Sequence, residues 1–497
     1  MKFTHHYKNF LTCLLIFLIF LYSGNINGQI NGSLFMMPGN FYAQMYNPAY
    51  MRTDKAISIS FAGLGGLSFI NQGSFKISDL ITTPMGSPVI DPVNFYENIG
   101  KKNYFIQDVG VPMAYFSFPH KKGFFKAFYK ENIGSALNFR KDVIEFLING
   151  NTEPGYRNFS TDEINLTAAG YREFAVGYTQ KMNKKLDAGI HAKLLFGAAY
   201  FNANNWNYEI ETSADGSLIN FKAYGDGYLS VPLPVRLRED STIYSIEADD
   251  AFSKYMKTYK NPGFAIDLGI NYKINNKSNF SVSIKDLGMI WYNKDAMTLT
   301  EDERYGYIGF DLVNAIRFDE EPGYTNPLYL IDLVKDSIRN IWHPKVIKPG
   351  FVSSLPTKTI VHYQVQHSDN FSFGVTNQSA FRKNNFQNIL TLSALQSWFG
   401  ISVFENLNLH GASDVTVGGG FQYEGRFFQA FLATDNIIAF YHPANNKTIS
   451  VTGGICILLN HEKEINPEKQ RNKGIKSRKG KIHPELPYYK HLRELRR

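Results

Sequence analysis

Residues 186–201, "LDAGIHAKLLFGAAYF", interleave two sets of positions. Ala188, Ile190, Ala192, Leu194, Phe196, Ala198 and Tyr200 alternate with Asp187, Gly189, His191 and Lys193. Side chains along a strand point to opposite faces with period two, so this stretch predicts a strand with one apolar face and one polar or small face. The pattern recurs. "GFAIDLGINYKI" sets Phe264, Ile266, Leu268, Ile270 and Tyr272 against Ala265, Asp267, Gly269, Asn271 and Lys273. "TISVTGGICILL" sets Ile449, Val451, Gly453, Ile455 and Ile457 against Thr448, Ser450, Thr452 and Gly454. "REFAVGYTQK" and "TIVHYQVQ" do the same with Phe174, Val176, Tyr178 and with Val361, Tyr363, Val365.

A soluble sandwich would turn the apolar face inward, whereas a membrane barrel turns it to lipid and the polar face to the lumen. Segments of 10 to 15 residues match the roughly 9–11 that a tilted strand needs to cross a bilayer, and exceed the about 5–6 usual in soluble sheets. The expectation is an all-β chain, a transmembrane antiparallel β-barrel of about 14 strands. Short links at 181–187, 273–280, 366–371 and 423–426 alternate with long ones at about 202–262 and 292–357. Because such barrels keep short turns on the periplasmic side, both chain ends are expected there. Apolar residues at three and four spacing predict short loop helices in "RKDVIEFLING", "DDAFSKYMKTYKN" and "NPLYLIDLVKDSIRNIW", which would cap the barrel mouth.

Composition strengthens the barrel reading. Aromatics reach 15%, carried by 40 Phe and 30 Tyr against 4 Trp, and outer-membrane barrels collect aromatics in girdles at both interfaces. Lys2, Lys8, the apolar "FLTCLLIFLIFLY" and the small residues before Gln29 read as an export signal over residues 1–28. Cys13 would leave with it, so Cys456 alone cannot form an intrachain disulfide or a cysteine zinc site, and its strand pattern assigns it to packing. Residues 461–497 hold 12 Lys and Arg against 5 Glu, and the signal holds two Lys, so the total of +8 leaves a net −1 for residues 29–460. A near-neutral body with a basic tail does not describe a nucleic-acid-binding domain.

"GSLFMMPGNFYAQMYNPAYM", which ends in Asn47-Pro48-Ala49, precedes the Gly-rich strand "SISFAGLGGLSF". With "RKDVIEFLINGN", "AGYREFAVGYTQKMNKKLDAGIHAKLLFG", "PGFAIDLGINYKINNKSNFSVSIKDLGMIWY", "SSLPTKTIVHYQ" and "ATDNIIAFYHPAN" in order, the chain resembles an uncharacterised family of Bacteroidota outer-membrane barrels. That family is related in architecture to long-chain fatty-acid transporters and to the PorV component of type IX secretion. The resemblance covers roughly residues 30–460 and implies a segment at 29–55 that plugs the lumen of a barrel at 56–460. Asn47, Pro48 and Ala49, a turn by their own chemistry, would belong to that hatch. Asp286, Leu287 and Gly288 interrupt the alternation of Phe280, Val282 and Ile284, which suggests a wall kink; in fatty-acid transporters a kink opens a lateral exit.

The expected function is a conduit for a hydrophobic or amphipathic small molecule. The alternative is a non-catalytic scaffold for an envelope or secretion complex. Asp187, His191, Lys193, Asp267 and Asn271 fall on the lumenal face. His191, His362, His367, His410 and His442 lie in no nucleophile motif, and no enzyme activity, cofactor or metal site is expected. The expected surroundings are outer-membrane lipid and a hydrophobic ligand. The tail, with Lys473, Lys476, Arg478, Lys479 and Lys481, is disordered by composition and suited to an acidic periplasmic partner or the cell wall.

Overall fold

The computed structural model describes residues 32–459 apart from Pro38, Ala62, 83–88, 150–154, 160–163, 214–218, Pro234, 238–242, 247–249, 308–344, 383–384 and 411–413. The segment expected to be an export signal and the basic tail lie outside the described residues, as does the helical pattern at 326–342.

Fourteen antiparallel strands close into a barrel. In chain order they are β1 (Ile57–Phe61 and Leu67–Gly73), β2 (Lys102–His120), β3 (Gly123–Arg140), β4 (Ile164–Lys181) and β5 (Leu186–Thr212). Then come β6 (Ile219–Ser230 and Pro262–Lys273), β7 (Ser278–Tyr307), β8 (Lys345–Ser354 and Thr357–Ser368), β9 (Phe371–Arg382) and β10 (Asn385–Trp398). The wall ends with β11 (Ile401–His410), β12 (Asp414–Glu424), β13 (Phe428–Thr434) and β14 (Thr448–Leu459). Closure is direct: Ile57 pairs with Leu459 and Leu67 with Gly453. Both ends of the wall therefore lie at one rim, which also carries the short turns at 121–122, 182–185, 274–277, 369–370, 399–400 and 425–427. No described helix is long and apolar enough to cross a membrane; the chain crosses with strands.

The alternation sets the two faces. Val176, Ile190, Leu194, Phe264, Leu268 and Ile270 are exposed on the outside, while His191, Lys193 and Asp267 are buried inside. The long links differ from expectation. Strand β5 runs on to Thr212 and β7 to Tyr307, so the link between β5 and β6 is only 213–218. The chain leaves the wall later, between Ser230 and Pro262, halfway along β6. Asn261 repairs that gap: its Oδ1 accepts from the amides of Asn293 and Lys294 at 2.9 and 2.8 Å, and its Nδ2 reaches Gly197 O at 3.3 Å. A side chain thus stands in for missing ladder bonds.

The excursion carries helix α2 (Ala251–Lys257), which packs on the outer wall instead of over the mouth. Beneath it lies Arg172, on the outward face of β4 yet fully buried. Its Nε donates to Glu131 Oε1 at 2.8 Å and its Nη2 to Tyr255 O at 2.7 Å, Nη1 bonds Thr258 O, and the rings of Tyr255 and Tyr259 cover it. A charged pair on this face persists because strap carbonyls and rings replace water. Arg172→Lys, which cannot span three acceptors, is expected to weaken the strap by about 1–3 kcal/mol. Hydrogen exchange at 250–259 should rise with the rest of the wall unchanged.

Residues 32–56 cross the lumen. A 3-10 turn (Gly32–Met36) lies against β9 and β10, where Thr376 Oγ1 donates to Gly32 O at 3.1 Å and Met36 fills the space left by Gly374. Helix α1 (Phe41–Tyr46) begins at Asn40, whose Oδ1 accepts from the amides of Tyr42 and Ala43 at 2.8 and 3.1 Å, as an N-cap should. Every residue of α1 is buried. Leu34, Phe35, Phe41, Tyr42, Met45 and Tyr50 form one core with Tyr115, Phe128, Phe404, Phe431 and Cys456 of the wall.

Candidate functional site

The lumenal segment is held along its length by polar side chains that the strand period aims inward. Asn47, Pro48 and Ala49 form a tight turn in which Asn47 Oδ1 accepts from Ala49 N at 3.0 Å. Lys126 Nζ donates to Pro48 O at 2.9 Å and also bonds Tyr50 O, and Thr179 Oγ1 bonds Pro48 O as well. The turn sits on Gly189 and Gly269, which pair across β5 and β6. A Cβ on Gly189 would come 2.2 Å from Pro48 O, and one on Gly269 2.3 Å from Asn47 Oδ1. Farther along, Arg52 bonds Asp54 at 2.9 and 2.7 Å and Glu424 Oε1 at 2.7 Å. Burial works against its charge, but the two carboxylates outweigh burial and hold the guanidinium above its usual range. Burial also raises the Tyr42, Tyr46 and Tyr50 hydroxyls well beyond the ordinary phenol range, so all three remain neutral.

Beside the turn lies a buried ionic cluster. Lys193 Nζ stands 3.0 Å from Glu173 Oε1, 2.8 Å from Asp267 Oδ1 and 2.6 Å from Asp286 Oδ1. His191 Nδ1 lies 3.2 Å from Asp267 Oδ2, and Asp286 N donates to Asp267 Oδ1 at 2.8 Å. Asp187 and Asn271 form a separate pair at 3.4 Å nearer the rim. Asp286, Leu287 and Gly288 stand where the register between β6 and β7 shifts at Ile266/Leu268. Asp286 takes φ +62°, which lets both its backbone amide and its carboxylate point inward, while Leu287 is partly exposed outside.

On the far side of this layer is a cavity of about 370 Å³. Its floor is Tyr46, Lys130 and Asp286, and its walls include Tyr171, Tyr200, Tyr228 and Tyr292, Asn132, Asn165 and Asn202, and apolar Ile70, Ala136, Ile290 and Leu355. Tyr200 lines it although strict alternation would put it outside. The register between β4 and β5 shifts at Gly170/Tyr171, and Gly197 leaves room for the Tyr292 ring, which a Cβ would approach to 2.5 Å. Among the described residues, no group of three His, Cys, Asp or Glu is placed to hold a metal.

Sequence reasoning placed Asp187, His191, Lys193, Asp267 and Asn271 on the lumenal face; the structure adds Glu173, Lys126, Lys130, Lys285 and Tyr46. A signal for two of them was present: in "FFKAFYKEN" Lys126 and Lys130 share a face within an aromatic strand run. The proposed tail residues Lys473, Lys476, Arg478, Lys479 and Lys481 lie outside the described residues.

A family profile described as "Family of unknown function (DUF5723)" matches residues 48–435. No curated protein matches the sequence. Among solved structures, the toluene transporter TodX of P. putida is 8% identical, with 84% of this chain and 92% of that one covered and a TM-score of 0.36. The toluene transporter TbuX of Ralstonia pickettii is 10% identical over 85% and 94%, with a TM-score of 0.39. A Pseudomonas aeruginosa FadL homologue is 8% identical over 88% and 100%, with a TM-score of 0.40. With scores this low, none of the three bears on what this chain carries.

Proposed function

The chain belongs to the DUF5723 family of unknown function, and from that premise we propose that it is an outer-membrane conduit for a hydrophobic or amphipathic small molecule, with residues 32–56 as its plug. The observation that carries this reading is the cavity of about 370 Å³ that ends on Tyr46, the last residue of the plug helix. That volume falls within the about 300–1,000 Å³ usual for small-molecule sites, and aromatic walls with a few polar groups are what such sites use. Cargo would enter from the rim opposite the chain ends and rest on Tyr46. It would leave when the plug shifts, or sideways at Asp286, Leu287 and Gly288, where a register shift adjoins the cavity. The clustering of short turns with both wall ends supports a periplasmic placement of the termini.

A second reading has an observation of its own. The plug is packed into the wall as a core, which suits a rigid scaffold that binds an envelope protein through its loops or its basic tail. The two separate by native mass spectrometry with lipid extraction on protein purified gently from its own membrane. The expected result is a stoichiometric small apolar or amphipathic molecule, lost when Ala136→Trp and Ile290→Trp fill the cavity. An empty barrel that instead co-purifies with an envelope protein, released by high salt, would make the scaffold primary.

A further inference from the structure

The strap on the outer wall stands beside a second hollow, away from the lumen. A groove of about 770 Å³ crosses the outward faces of β1 to β5. Register explains its shape. Ala114 on β2 stands between Phe61 and Tyr129, and Ala127 on β3 stands one row lower between Phe116 and Val176. Paired side chains on one face are neighbours, so the two alanines floor a channel walled by Phe61 and Phe116 on one side and by Tyr129 and Val176 on the other. The strap closes its upper end: Tyr129 stacks on Phe174 at 4.4 Å, and the Tyr259 ring lies 6.4 Å from Phe174. There the wall turns from apolar to charged, since the Tyr129 hydroxyl bonds Glu131, the acid that holds Arg172. Phe174 is seven residues from Lys181 at the short-turn rim. With about 3.3 Å per residue and a tilt of about 40°, it stands about 18 Å above that rim and Arg172 about 23 Å, against an apolar band about 25 Å tall. The groove therefore lies in hydrocarbon and the strap at its edge. From Asp250 to Asn261 the strap carries Lys254, Lys257 and Lys260 against Asp250 alone. Lys260 meets Asp295 at 2.6 Å; among the described residues, no acid lies within ion-pair distance of Lys254 or Lys257.

We propose that this outer face binds one acylated sugar phosphate of the outer leaflet, with an acyl chain in the channel over Ala114 and Ala127 and the phosphate on Lys254 and Lys257. The site goes beyond the conduit reading and does not need it; it uses only the periplasmic placement of the chain ends, which sets the strap at the outer leaflet. A channel one alanine wide between rings admits a flexible chain and gains contacts along both walls that a gap would forfeit. Two lysines just above it supply the charge that a phosphate monoester at the hydrocarbon edge requires. The strap is then a lipid-binding element, fastened to the wall by Arg172 from beneath and covered by the lipid head from above.

The test uses the full chain in detergent micelles with three probes: monophosphoryl lipid A, the same lipid A without phosphate, and phosphatidylglycerol. Native mass spectrometry reads the bound lipid, and hydrogen exchange reads residues 250–259. One monophosphoryl lipid A per barrel is expected, held about tenfold more tightly than the dephosphorylated form, with exchange in the strap slowed. Lys254→Gln with Lys257→Gln should remove that preference, and Lys254→Arg with Lys257→Arg should keep it. Ala114→Phe with Ala127→Phe fills the channel from the lipid side, so the barrel should still assemble while both lipid A forms bind about tenfold more weakly. If the glutamine pair itself frees the strap, seen as faster exchange before lipid is added, the phenylalanine pair decides. Unchanged binding by the phenylalanine pair overturns the acyl site, and equal retention of the two lipid A forms overturns the phosphate assignment. Phosphatidylglycerol bound as tightly as monophosphoryl lipid A overturns the choice of a sugar phosphate. Retention of none of the three overturns the whole site. Each of these failures leaves the conduit standing, because the lumenal cavity is untouched.

Discussion

Replacing Lys193 by methionine is expected to destabilise the barrel by about 3–5 kcal/mol, the usual cost of leaving buried charge without its partner. The side chain reaches from β5 to acids on three other strands: Glu173 on β4, Asp267 on β6 and Asp286 on β7, at 3.0, 2.8 and 2.6 Å. Their relative exposures are 1, 0 and 5%, so water cannot replace the ammonium. In the variant, three carboxylates would face one another across a methionine of similar length. Asp267 retains His191 and the Asp286 amide, whereas Glu173 keeps mainly the Asn132 amide at 3.2 Å. The measurement is the urea midpoint of the gel-mobility shift between folded and unfolded barrel. Adding Asp267→Asn to Lys193→Met should recover part of the loss, because one stranded charge is gone. A Lys193→Met barrel as resistant as the natural chain would mean that the cluster does not organise this wall.

How much of this was legible follows from what period two can and cannot encode. It places Lys193, His191 and Asp267 on the lumenal face, because each alternates with apolar neighbours. It cannot say which acid meets Lys193, since that depends on strand registers fixed only when β4, β5, β6 and β7 pair. The same limit explains Tyr200. One extra residue in β5 at the Gly170/Tyr171 register shift reverses every side chain beyond it, so a residue expected to face lipid becomes a cavity wall. The strap failed for another reason. Residues 231–261 hold a short helix amid turn signals and read as a loop, and their attachment depends on Arg172, which alternation places correctly on the outside but without its cover. Asp286 was visible as an interruption; its positive φ and its contact with Lys193 were not.

Alanine at both Gly189 and Gly269 is expected to unseat the plug while the barrel stays folded. Both glycines face the lumen in paired register, and the atoms a new Cβ would meet belong to the Asn47-Pro48-Ala49 turn. From Gly189 these are Pro48 O at 2.2 Å, Pro48 C at 2.3 Å and Ala49 N at 2.8 Å; from Gly269, Asn47 Oδ1 at 2.3 Å, Pro48 Cδ at 2.9 Å and Ala49 N at 3.0 Å. Most are backbone or ring atoms, which cannot swing aside as a flexible side chain could. The turn must lift, and lifting costs it the Lys126 and Thr179 bonds to Pro48 O. Overpacking of this kind costs about 1–3 kcal/mol, which corresponds to about a 5- to 150-fold fall in the docked-to-undocked ratio. The strands themselves tolerate the change, since glycine inside a strand is weaker than alanine. Proteoliposomes carrying the double variant should swell faster in a small neutral sugar, and protease should cut within residues 41–56. Ala192→Val, on the outer face of the same strand, should do neither. If the double variant stays as closed and as protease-resistant as the natural chain, the Asn-Pro-Ala turn is not what seats the plug, and the path through the lumen must be sought elsewhere in the wall.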